Sequence, residues 1–153
     1  MRIVVVVVLA LFLGARAEAQ RQPGWEVRIG ERVVLAPGGS GTIPVSIAVD
    51  RGLTVSRDAQ VIVDLSPEPG LTFRRRRLGR SDAVDPEADA PRFAVTVRGD
   101  QQGEHTVKLR LRFWLCGGKA CRPVDVHRTA QVSVTAPVPA PPPPGDAGIT
   151  ATD

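Results

Sequence analysis

Thr106-Val107-Lys108-Leu109-Arg110-Leu111-Arg112-Phe113-Trp114-Leu115-Cys116 carries a large aliphatic or aromatic residue at every odd position from 107 to 115, with polar residues between them up to Arg112, and that alternation decides the fold. A period of two places Val107, Leu109, Leu111, Phe113 and Leu115 on one face of a β-strand, and Thr106, Lys108, Arg110, Arg112, Trp114 and Cys116 on the other. Leaving the five apolar side chains in water would forfeit about 8–12 kcal/mol of transfer free energy, so their face meets a core. A strand over Glu104–Leu115 is predicted, with Cys116 delivered to its outer face at the end.

The return segment follows the same logic. Val124, Val126, Ala130, Val132 and Val134 share one parity, while Cys121, Pro123 and Asp125 share the other. A strand over Val124–Thr135 is predicted, joined to the first through the loop Gly117-Gly118-Lys119-Ala120. Its two glycines are expected to supply positive φ. Pro123 offers no ladder donor, so regular pairing is expected to fail near the loop. Both sulfurs would then emerge on one side of an exposed hairpin.

Working outward, short valine-rich alternation recurs over Trp25–Ile29, Glu31–Leu35, Gly41–Val49, Ala59–Leu65 and Arg92–Arg98. Turn residues separate these runs at Ala36-Pro37-Gly38-Gly39, Asp50-Arg51-Gly52, Ser66-Pro67-Glu68-Pro69-Gly70 and Gly99-Asp100-Gln101-Gln102-Gly103. No helical period is sustained. The pattern predicts an all-β, immunoglobulin-like antiparallel sandwich over residues 20–135. Residues 71–91 are the least strand-like interior stretch. They carry Arg74-Arg75-Arg76-Arg77, expected on a solvated loop or on a flap that adds positive charge to a site.

The ends differ from this body. Met1-Arg2, an apolar run from Ile3 to Leu13 and the small-residue triplets ending at Ala19 read as a cleaved export signal over residues 1–19. That run is too short to span a bilayer, and no membrane span is expected in the mature chain. Residues 136–153, with Pro141-Pro142-Pro143-Pro144, read as a disordered proline-rich tail. A periplasmic or secreted location follows. The formal charge of +4 is carried almost wholly by arginine, since Lys108 and Lys119 are the only lysines. An exported chain of this composition is not expected to bind nucleic acid.

Export makes Cys116 and Cys121, the only cysteines, the centre of the functional question. Closing a loop of about six residues contributes only about 2 kcal/mol on the chain-entropy model, whereas a bridge across about 60 residues contributes about 4. The short spacing and the basic neighbours Arg110, Arg112, Lys119 and Arg122 point to a pair that exchanges its disulfide. The other reading is a passive clip on a hairpin.

Residues 103–134, with a long strand ending in aromatic-x-Cys, a short loop, a second cysteine and a Pro-Val return, resemble the N-terminal periplasmic domain of the DsbD-type thiol:disulfide interchange proteins. Leu35-Ala36-Pro37-Gly38, Ile43 to Val49 and Asp50-Arg51-Gly52-Leu53 extend the similarity upstream. The resemblance implies an immunoglobulin-like fold and matches Cys116 and Cys121 to the family's two catalytic cysteines. It further implies electron exchange with an exported thioredoxin-like or membrane reductase partner. The family shields its cysteines with a cap loop; here the matching stretch is arginine-rich, and Phe73 is the one residue placed to serve as shield.

Trp114 and Arg112 are candidate partner contacts, because Trp and Arg are enriched in protein interfaces. Trp25 is expected to anchor an edge strand. His105 and His127 lie too far along their strands from the cysteines for a shared metal, so no metal is expected. Gly38-Gly39-Ser40-Gly41 lacks the lysine and helix of a phosphate loop, no serine sits in a nucleophile turn, and no cofactor is implied. Two functions follow: a thiol–disulfide exchange domain, or an immunoglobulin-like binding and assembly module whose disulfide is structural.

Overall fold

The computed structural model describes residues 24–136, so the export signal and all but the first residue of the proline-rich tail lie outside the described residues. Ten strands follow in order: β1 (Trp25–Ile29), β2 (Arg32–Leu35), β3 (Ser40–Val49), β4 (Leu53–Val55), β5 (Ile62–Pro67), β6 (Leu71–Phe73), β7 (Arg77–Gly79), β8 (Arg92–Gly99), β9 (Gly103–Gly117) and β10 (Ala120–Val134). A single 3-10 turn, Arg80–Asp82, follows β7. The strands form two sheets, β1-β3-β8-β6 and β2-β10-β9-β5-β7, with β4 added to the end of β9. All pairings are antiparallel except β2 with β10. This is an immunoglobulin-like sandwich, as the alternating strands and turn spacing predict.

The core lies between the sheets. Val107, Leu109, Leu111, Phe113 and Leu115 are all buried to 2% exposure or less, facing Ile43, Val45, Val95 and Val97 from the opposite sheet. Trp25, buried on edge strand β1, stands edge-on to Phe113 at 5.7 Å between ring centroids, a favourable aromatic geometry. The chain changes sheets between β1 and β2, where the Gly30 N–H donates to the Pro44 carbonyl at 2.9 Å.

Several boundaries differ from expectation. β5 starts at Ile62 rather than Ala59, because the Ser56 hydroxyl accepts the Ala59 N–H at 3.2 Å and holds a turn there. β4 follows the Asp50-Arg51-Gly52 turn, and β6 and β7 lie within residues 71–79. Each has three residues, too few to display a period. The β9–β10 loop is also tighter than the expected four residues. Gly117 pairs with Ala120, leaving Gly118-Lys119 as the turn, with φ +60° at Gly118 alone. Glycine at the first central position suits a two-residue type II′ hairpin.

Pairing also survives Pro123, contrary to the sequence expectation. The ladder runs unbroken from Gly117↔Ala120 to Gly103↔Val134 and includes Trp114↔Pro123. Hydrogen-bonded and non-hydrogen-bonded pairs alternate in such a ladder. Counted from the pair that closes the turn, Trp114↔Pro123 is non-hydrogen-bonded, so the missing donor points away from β9. On that side β2 covers only Gln131–Val134. The proline therefore leaves no ladder bond unmade.

Candidate functional site

Cys116 and Cys121 are direct cross-strand partners and form a disulfide with Cα atoms 4.0 Å apart. Their placement follows from the register: one step beyond the Gly117↔Ala120 closing pair, both side chains point outward. Cys121 is exposed and Cys116 half-buried. β4 covers the flank of Cys116, with Thr54 opposite it and Leu53 opposite Gly117. A Cβ at Gly117 would meet the tip of the Leu53 side chain, which would have to shift to admit it. A groove of about 330 Å³ beside Cys121 is lined by Leu53, Leu115, Gly117, Gly118, Ala120 and Arg122.

Behind the hairpin, the outer face of the six-stranded sheet is laid out in rows. Trp114 pairs with Pro123; Ile62, Arg112 and Asp125 form the next row; Asp64, Arg110 and His127 the next; Ser66, Lys108 and Thr129 the one after. Most of the charge is internally matched. Arg112 reaches Asp64 at 2.7 Å, Arg77 reaches the same carboxylate at 2.6 Å, and Arg110 holds both oxygens of Asp125. The Arg77 hydrogen bond, followed by that of Arg112, lowers the Asp64 pKa against a desolvation cost. The Arg110 bond does the same for Asp125. Two of the four cations expected to favour a thiolate are therefore already held by carboxylates.

Trp114 is 43% exposed, one of the few large hydrophobic side chains open to solvent among the described residues. With Gln60, Ile62, Arg112, Pro123 and Asp125 it lines a second groove of about 410 Å³. Trp114 and Arg112 thus share one surface with the cysteine hairpin. Phe73 does not join them. It is buried at 8% exposure in β6, opposite Val97 in the other sheet. A side chain added at nearby Gly70 would meet His105. Cys116 lies eleven residues further along β9, about 37 Å in an extended strand. Phe73 is a core residue at the opposite end of the sandwich. Arg74, Arg75 and Arg76 are exposed between β6 and β7, with Arg75 paired to Asp82, and they do not fold over the cysteines.

His105 is buried at the start of β9, its Nε2 2.9 Å from the Gln101 carbonyl oxygen, and His127 is exposed on the outer face. Among the described residues no group of three or more His, Cys, Asp or Glu side chains is arranged to hold a metal. Among the same residues no helix is long and apolar enough to cross a membrane.

Arg80, which sequence reasoning misses, holds the region behind β4 together. Its guanidinium donates to the carbonyls of Val55, Ser56, Pro86 and Ala88 at 2.8–3.1 Å. Ser56 in turn donates its N–H to the Trp114 carbonyl at 2.8 Å. One side chain thereby ties the 83–90 loop to the strand that covers Cys116. The only cue in the sequence is an arginine beside a turn, which does not separate it from its exposed neighbours.

The fold and site together define an immunoglobulin-like β-sandwich with a disulfide-clipped hairpin at one end. No protein-family model matches the chain, and no curated protein matches it. Among solved structures it is similar to native alpha-2-macroglobulin from Escherichia coli, spanning domain MG7 to the C-terminus, at 10% identity and TM-score 0.44. That match covers 72% of this chain and only 16% of the other. AggA, the major subunit of aggregative adherence fimbriae type I from Escherichia coli, matches at 10% identity and TM-score 0.37, over 72% of this chain and 94% of that one. The ASH/PapD-like domain 7 of human CEP192 matches at 9% identity and TM-score 0.40, over 90% and 99% of the two chains.

Proposed function

We propose that this chain is an exported immunoglobulin-like binding and assembly module whose disulfide is structural. The observation that carries this reading is the Cys116↔Cys121 register inside an unbroken ladder. Strand pairing already holds the two residues opposite each other, so the bond clips a hairpin that the core and turn have built. Arg110 and Arg112 are committed to carboxylates and lend little to a thiolate. A disulfide also fits an oxidising compartment, which supports export. The contact surface is the outer face around Trp114 and Arg112.

A second reading has one observation in its favour. Cys121 is exposed above an open groove, the access that disulfide exchange with a thioredoxin-like or membrane reductase partner would need. In that reading Cys116 and Cys121 are the catalytic pair of a DsbD-like exchange domain. A glutathione titration of the full chain, read by thiol alkylation, separates the two. The structural bond should show a midpoint below about −300 mV; a midpoint near about −200 mV overturns it in favour of exchange. Crosslinking in the native host should then show that Trp114→Ala abolishes partner capture, while the Cys116→Ser/Cys121→Ser variant retains it.

A further inference from the structure

We propose that the outer face of the six-stranded sheet receives an extended acidic polypeptide segment, its carboxylate set at Lys108 and an apolar side chain seated at Trp114. This deepens the contact-face reading given above and rests on it.

The charges of the face show where an incoming group is needed. Asp64 is held by two arginines and Asp125 by one, so neither carboxylate is left for Lys108. Glu68, at that end of the face, turns its carboxylate to the Thr106 N–H at 2.7 Å. Arg128 donates to the His127 carbonyl, and no ion pair joins it to a carboxylate among the described residues. Lys108 is exposed, and no acid among the described residues pairs with it. It stands between two hydroxyl residues in one row, Ser66 on β5 and Thr129 on β10. All three line a groove of about 650 Å³. An ammonium flanked by two hydroxyl donors is suited to a carboxylate.

The other end of the face indicates what carries that carboxylate. Trp114, Ile62 and Pro123 form an apolar wall beside the matched Arg112 row. A simple polyanion has nothing to bury there, whereas a polypeptide supplies both groups. Lys108 and Trp114 are six residues apart on β9, about 20 Å along the strand. An extended segment crosses that distance in about six residues of its own. The predicted ligand therefore pairs an acidic residue with an aromatic or aliphatic one about six positions away. Attraction at Lys108 is exposed and falls with salt, while apolar contact at Trp114 does not.

The test is selection of a displayed random-peptide library on the immobilised full chain, followed by amide chemical-shift mapping and affinity measurement with the selected peptides. Expected are sequences with the acid-to-apolar spacing and shifts at both Lys108 and Trp114. Lys108→Glu and Trp114→Ala should each weaken binding tenfold or more, with circular dichroism unchanged. Selection of basic sequences, absence of the spacing, or failure to enrich any sequence overturns the proposal. If Trp114→Ala weakens binding and Lys108→Glu does not, the acidic ligand is refuted while the contact face stands. If neither changes binding, both readings fall. Polyphosphate or heparin bound through Lys108 independently of Trp114 overturns the polypeptide in favour of a polymeric anion.

Discussion

Reducing the Cys116–Cys121 bond should weaken the fold by about 2 kcal/mol without unfolding it. The magnitude comes from the loop that the bond closes: residues 116 to 121 enclose a chain of about six residues, whose lost freedom in the unfolded state is worth about 2 kcal/mol. The folded side of the balance changes little, because the unbroken β9–β10 ladder and the core beneath it hold the two residues opposite each other. With a urea m-value of about 2 kcal/mol per molar, the midpoint of the reduced protein should fall by about 1 M. Thermodynamic linkage makes a second demand that must agree with the first: whatever the bond adds to folding, folding must add to the bond. About 2 kcal/mol for a two-electron couple corresponds to about 40 mV, so the disulfide should be harder to reduce by that amount in the native protein than in urea. Paired urea melts with and without dithiothreitol, together with glutathione titrations in buffer and in denaturant, measure both sides of the cycle. A loss above about 4 kcal/mol, or failure of the reduced chain to fold, would refute the picture of a clip on a preformed hairpin. A change near zero would refute the chain-entropy reasoning.

Leu111→Ala, at the fully buried centre of β9, should cost about 2–5 kcal/mol in urea melts, whereas Trp114→Ala on the opposite face of the same strand should cost much less. Arg80→Met should cost about 2–4 kcal/mol by freeing four backbone carbonyls, with raised hydrogen exchange at residues 55–56 and 83–90 as its signature, and Arg80→Lys should not rescue it because one ammonium does not reach all four. Asp64 and Asp125 have pKa values below the ordinary carboxylate value, each chiefly through an arginine hydrogen bond, so their contribution is present above the unfolded-state value of about 3.9 and is lost as pH falls through the lower folded values. Urea midpoints across acidic pH should fall in that window, and an Asp64→Asn/Asp125→Asn variant should show a flatter profile; an unchanged profile would assign acid sensitivity to other groups.

The parity of β9, and of β10 apart from Arg128 at an inward position and the buried Ser133, is legible in the sequence, because burial on one face of a strand imposes a period of two. That parity also places Trp114, Arg112 and both cysteines on a common outer surface. Phe73 is the instructive failure. Similarity of order along the chain sets it near the cysteines, yet β6 joins the opposite sheet, and the residue is buried far from the hairpin. Arginine composition is equally uninformative about partners: Arg112 and Arg77 converge on Asp64 only because β9, β5 and β7 lie side by side.

By itself, then, the sequence determined an all-β sandwich, the inward set of its long hairpin and the side on which its sulfurs emerge. These are local consequences of alternation and glycine placement. Tertiary structure alone decided the three-residue strands β4, β6 and β7, the continuity of pairing past Pro123, the four-carbonyl grip of Arg80 and the matching of charge across the outer face. Each depends on what a distant segment places alongside, and no periodicity along one strand carries that information.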